Sequence, residues 1–96
     1  MLLPLLMAFQ AQGTDAYRQA YDQGFRRAFR AKSIERCVAT VGTRLPAGTD
    51  APALCGCITD RFMATRSVAQ LSATPVVADL RAAAHACVAD GAAAAR

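Results

Sequence analysis

Residues 50–65 read Asp50-Ala51-Pro52-Ala53-Leu54-Cys55-Gly56-Cys57-Ile58-Thr59-Asp60-Arg61-Phe62-Met63-Ala64-Thr65. Asp50 or Thr49 suits the cap of a helix, and Pro52 is tolerated in a first turn, where a backbone N–H has no intrahelical partner. Leu54, Ile58, Phe62 and Met63 recur at helical spacing, so the stretch predicts a helix running to about Thr65. Inside it Cys55 and Cys57 stand two residues apart. At about 100° per residue their side chains leave the axis about 200° apart, and they cannot easily share one partner. The helix is therefore expected to be a middle layer, stapled to both neighbours, with one bridge reaching Cys37 and the other Cys87.

Which cysteine takes which partner stays open. A bridge from Cys37 to Cys57 centres on residue 47 and one from Cys37 to Cys55 on residue 46, and both midpoints fall in the same loop, 42–49. We favour Cys37 with Cys57 and Cys55 with Cys87, the swapped pairing being the alternative. The bridges matter because the core is small: the chain has 96 residues and is 54% apolar, but 23 of its residues are Ala, which bury little area. One loop of about 20 residues and one of about 32 each contribute around 3 kcal/mol or slightly more on closure. Together they are comparable to the net stability of a small domain, roughly 5 to 15 kcal/mol.

Outward from this helix the chain continues to read as helix. Tyr17, Tyr21, Phe25 and Phe29 follow at steps of four, then Ile34, Cys37, Val38 and Val41, which predicts a long helix opening after Thr14-Asp15, with Lys32-Ser33 as a point where it can divide. The aromatics spread over about 120°, one broad apolar face whose plain role is core packing. Gly42 to Thr49 is a loop by its Gly and Pro content. Ser67-Val68-Ala69-Gln70 is a capping-box pattern opening a short turn. Thr74-Pro75 reads as a cap with Pro at the first helical position, followed by a last helix through Val77, Leu80, Ala84, Cys87 and Val88 that Gly91 ends. With no alternating run long enough for a sheet, the fold class is all-α: a small three-to-four-helix bundle stapled by two disulfides, occupying 13–90, with 91–96 a frayed tail.

Residues 1–12 read as a signal peptide. Leu2 to Phe9 is uncharged and apolar, too short to span a bilayer, and the first charge in the chain is Asp15. No Lys or Arg precedes the apolar run, which a start assigned too late explains. An even cysteine count agrees with export to a periplasm-like or secreted setting, where disulfides persist. No transmembrane segment is expected in the mature chain.

The spacing Cys37, Cys55-Gly56-Cys57, Cys87 resembles that of small exported bacterial helical proteins with C…C-x-C…C cysteines and no assigned activity. The resemblance covers about Phe29 to Val88, and C-x-C is its one tight element. It implies a disulfide-bonded helical fold and transfers no catalytic residues.

Sharper chemistries compete with the staple. Cys55-Gly56-Cys57 as an exchangeable dithiol lacks the surrounding βαβ pattern of thioredoxin-like proteins. Cys55, Cys57, His85 and Cys87 form a nominal metal set, but both pairs sit at i, i+2 on helices, where side chains diverge instead of chelating, and His85 reads as a surface residue one turn from Arg81. The aromatic stripe with its flanking arginines also suits a membrane surface or a partner helix. Ser33, Ser67 and Ser72 stand in cap-like settings, the seven carboxylates are scattered singly, and no phosphate-binding, dinucleotide or calcium loop is present, so we expect no enzyme activity, no metal and no cofactor. The net charge is +4, short of a nucleic-acid signature. The expected function is binding or structural support, with Arg26, Arg27 and Arg30 as the candidate binding face toward a protein or an anionic envelope partner. The alternative is a thiol-redox carrier using Cys55 and Cys57.

Overall fold

Asp50 caps the central helix as its sequence predicts: the carboxylate accepts from the Ala53 N–H at 3.0 Å, Pro52 occupies the first turn, and α2 runs Ala51–Ala64. The computed structural model describes the backbone of residues 3–92 and the side chains of residues 15–92. Within those residues the chain is all-α: α1 (Leu3–Val41), a single 3-10 turn (Gly42–Arg44), α2, the short α3 (Val68–Leu71) and α4 (Val77–Ala89), with no strand among them. The tail expected to fray lies mostly outside the described residues.

Two helix starts differ from expectation. α1 begins at Leu3 and passes Thr14-Asp15 without a cap, because Leu, Met, Ala and Gln are strong helix formers and Gly13 alone does not stop them. It also runs unbroken through Lys32-Ser33, where Lys32 pairs with Glu35 one turn on and Ile34 packs over Gly56 of α2. α4 begins at Val77, two residues later than the Thr74-Pro75 pattern predicts, and its cap residue Val76 is extended with no side-chain bond. Pro75 and Val77 line the edge of a trough beside α2 while remaining exposed.

The other caps follow the sequence. Ser67 and Gln70 form the reciprocal capping box that opens α3. Gly48, at φ +84°, supplies the left-handed residue of a tight turn closed by Thr49 N–H onto Pro46 C=O. Gly91, at φ +79°, ends α4 in a Schellman motif, with Ala92 N–H on Cys87 C=O and Gly91 N–H on Val88 C=O.

α2 is the middle layer. α1 runs antiparallel to it, as Cys37–Cys55, Arg30–Asp60 and Arg26 on the Met63 carbonyl show in descending against ascending order. α4 packs on the other flank through Cys57–Cys87 and Arg66–Asp79. Phe62, Met63 and Leu71 form the buried centre, with Phe25, Phe29 and Leu80 against it, so all four helices meet in one core.

The disulfides are Cys37–Cys55 and Cys57–Cys87, which corrects the pairing favoured from sequence. The reason is depth from the helix ends. Cys37 lies four residues before the end of α1 and Cys55 four residues after the start of α2, so both sit about 6 Å from the connecting turn. Cys57 is about 3 Å deeper and points the other way, toward α4.

Candidate functional site

α1 and α4 each pack along α2 but make no extended contact with one another. The arrangement follows from the positions of side chains around α2. With Cys55 as origin and about 100° per residue, Gly56 lies near +100° and meets α1, while Arg61 lies near −120° and reaches Asp90 after α4. Ile58, Thr59 and Phe62 fall between about −60° and +40°, on the same side as Cys55; Thr59 and Phe62 are buried there, and Ile58 is half-buried. They floor a trough of about 520 Å³. Phe29, Cys37 and Val41 line one wall, Val77, Leu80 and Ala84 the other, and the lining is almost wholly apolar. Arg36 from the α1 wall and Arg81 from the α4 wall complete it.

The arginines divide into two groups. Arg26, one of the three expected to present a binding face, turns inward instead: it donates to the Met63 and Arg66 carbonyls at 3.2 and 2.7 Å and to Asp22 at 3.0 Å, satisfying the carbonyl end of α2. Arg30 clasps Asp60 of α2 with two bonds, at 2.8 and 3.3 Å. The hydrogen bond to Asp60, then its charge, raises the Arg30 pKa above the ordinary arginine value, against a small opposing effect of burial. Arg27 is exposed and apart from both. Arg66 joins the α2 terminus, donating to the Phe62 carbonyl and to Asp79 while its guanidinium lies 3.8 Å over the Phe62 ring. Among the described residues Arg18, Arg27, Arg36, Arg44 and Arg81 have no carboxylate in ion-pair range. Of these, Arg36 and Arg81 are the two that line the trough.

The sequence-selected cysteines do not converge. Cys55 and Cys57 are bonded to different helices, Cys55 and Cys87 are 0% exposed, and no free thiol remains to act as a metal ligand beside His85, which is exposed. The aromatic stripe splits: Phe25 and Phe29 pack on the core, their rings 6.0 Å apart, whereas Tyr17 and Tyr21 are 71% and 58% exposed, beside Val68 of α3.

Sequence reasoning missed the trough because a concavity between two non-adjacent helices leaves no local pattern. Its signal was indirect: Arg36 and Arg81 each adjoin a residue of the apolar lining, Cys37 and Leu80. No helix among the described residues is long and apolar enough to cross a membrane. Compared with protein-family models, curated proteins and solved structures, the chain matches none.

Proposed function

We propose that this chain is an exported binding protein whose ligand site is the trough between α1 and α4. One observation carries the reading: an open, apolar cavity of about 520 Å³ with two charged side chains at its edges, the size and composition of a small-molecule site. Two disulfides support export, since such bonds persist in oxidising compartments, and the apolar Leu2–Phe9 run supports a signal peptide. The thiol-redox alternative has less support, because Cys55 and Cys57 are each bonded away from the other and Cys55 is closed to an attacking thiolate.

The test fills the cavity. Ala84 is half-buried and lines the trough, so Ala84→Phe places a ring in the space at little cost to the helix. An environment-sensitive apolar dye should bind the oxidised protein at one site and lose at least about ten-fold in affinity in the variant, with the melting temperature unchanged or raised. Equal dye binding by both proteins would overturn the assignment.

A further inference from the structure

Open apolar space with guanidiniums at its edges selects a particular kind of occupant. Resting on the trough as the binding site, we propose that its ligand is a single-chain anionic amphiphile, a long-chain carboxylate whose hydrocarbon lies along Ile58 and Phe62 and whose head group is held at the edge of the trough by Arg36 or Arg81.

Size argues for a chain over a docked helix. The floor of the trough runs only from Ile58 to Phe62, about 6 Å or one helical turn along α2. Helix-in-groove recognition needs anchors over at least two turns, at i, i+3, i+4 and i+7. At roughly 30 Å³ for a methylene, near the share a water takes in the liquid, the same space accepts an extended chain of up to about 17 carbons.

Charge argues for the head group. Nearly every carboxylate is already in use: Asp22, Glu35, Asp60, Asp79 and Asp90 form ion pairs, and Asp50 caps α2. Arg36 and Arg81 are exposed, come from opposite walls, and have no carboxylate partner among the described residues. A guanidinium at the edge of the trough suits a planar carboxylate, which accepts paired N–H bonds, better than a neutral or cationic head.

The experiment compares three single-chain probes of one length below their micellar concentrations: tetradecanoate, tetradecanol and tetradecyltrimethylammonium. Affinity is read by equilibrium dialysis and location by amide shifts at Val41, Phe62 and Leu80. Tetradecanoate should bind at least about ten-fold more tightly than the other two. Arg36→Gln and Arg81→Gln should each weaken it about three-fold and the double variant about ten-fold, with Arg27→Gln and Arg44→Gln silent, as expected for exposed charge pairs. If the alcohol binds as well as the carboxylate and the glutamine variants are silent, the trough stands as a site but the head-group assignment falls. Should no probe shift the three reporters, the trough itself falls. Two further results overturn the proposal: anionic phospholipid vesicles that capture the protein without competition from tetradecanoate, which would mark a membrane-surface binder, and concentration-dependent shifts of the same amides without ligand, which would mark a second copy in the trough.

Discussion

Replacing cysteines in pairs tests the architecture because the two disulfide loops are consecutive in sequence. Cys37–Cys55 encloses a separation of 18 residues and Cys57–Cys87 one of 30, with no overlap. On the chain-entropy relation the first contributes about 3.2 kcal/mol and the second about 3.7 kcal/mol, and disjoint loops should add to about 7 kcal/mol. Magnitude alone does not identify the pairing, since separations of 20 and 32 would give nearly the same values. The choice of variant does. Cys37→Ala with Cys55→Ala removes one bridge, keeps the other, and should cost about 3 kcal/mol with no free thiol. Cys37→Ala with Cys57→Ala breaks both, should expose two thiols, and costs about 7 kcal/mol, within the roughly 5 to 15 kcal/mol that hold a small domain folded. Guanidinium unfolding measures the first quantity and thiol titration under denaturing conditions the second. A tryptic digest cannot replace them, because residues 45–61 carry both Cys55 and Cys57 and are joined to 37–44 and 82–96 under either pairing. The mirror-image result, with the Cys37/Cys57 variant retaining a bridge and the Cys37/Cys55 variant exposing two thiols, would refute the depth argument.

Two further substitutions separate structural from functional roles. A Cβ at Gly56 would meet Arg30 Nη2 at 3.6 Å and Ile34 Cδ1 at 3.8 Å, ordinary contacts, so Gly56→Ala should be neutral or stabilise the fold by up to about 1 kcal/mol in thermal unfolding; a loss above about 1 kcal/mol would show that the backbone there needs glycine. Arg26→Gln removes two bonds to the α2 carbonyl end from a side chain 31% exposed and should cost about 1 to 2 kcal/mol, whereas exposed Arg27→Gln should change stability by less than about 0.5 kcal/mol; denaturant midpoints that rank the two alike would remove Arg26 from the capping role.

The elements and the layer order were legible because they rest on local chemistry. Asp50 with Pro52, the Ser67/Gln70 box and terminal Gly91 act through neighbours within a few residues, and the C-x-C divergence is a property of one helix. The pairing was legible too, but by a different count from the midpoint: measuring inward from the helix ends places Cys55 level with Cys37. The start of α4 fell two residues beyond the Thr74-Pro75 pattern because a Pro preference is local and statistical, and helix ends shift by one or two residues around it. The roles of Arg26 and Arg30 were hidden for a similar reason. A run of basic residues on one helix looks like a solvated face until its neighbour arrives with Asp60 and an open carbonyl end. The trough was least legible, since its three sides come from Phe29, Phe62 and Leu80, far apart in sequence.

The two features that identify this fold, its staples and its surplus of arginine, meet at the trough. Bridges leaving α2 in nearly opposite directions hold α1 and α4 apart, and that separation leaves a trough between them whose floor is Ile58, Thr59 and Phe62. A chain using one bridge, or two bridges on a single arc, would let the outer helices close on one another and fill the space. Charge follows the same logic. Four of the seven carboxylates neutralise arginines that hold helices or helix ends together, a fifth pairs with Lys32 along α1 and a sixth caps α2, so the excess of +4 is carried by arginines with no work inside the fold. Two of those arginines stand on the opposed walls of an apolar cavity, where a guanidinium adds nothing to packing. On the proposed reading, they recognise a negative group delivered on an apolar tail that lies in the trough.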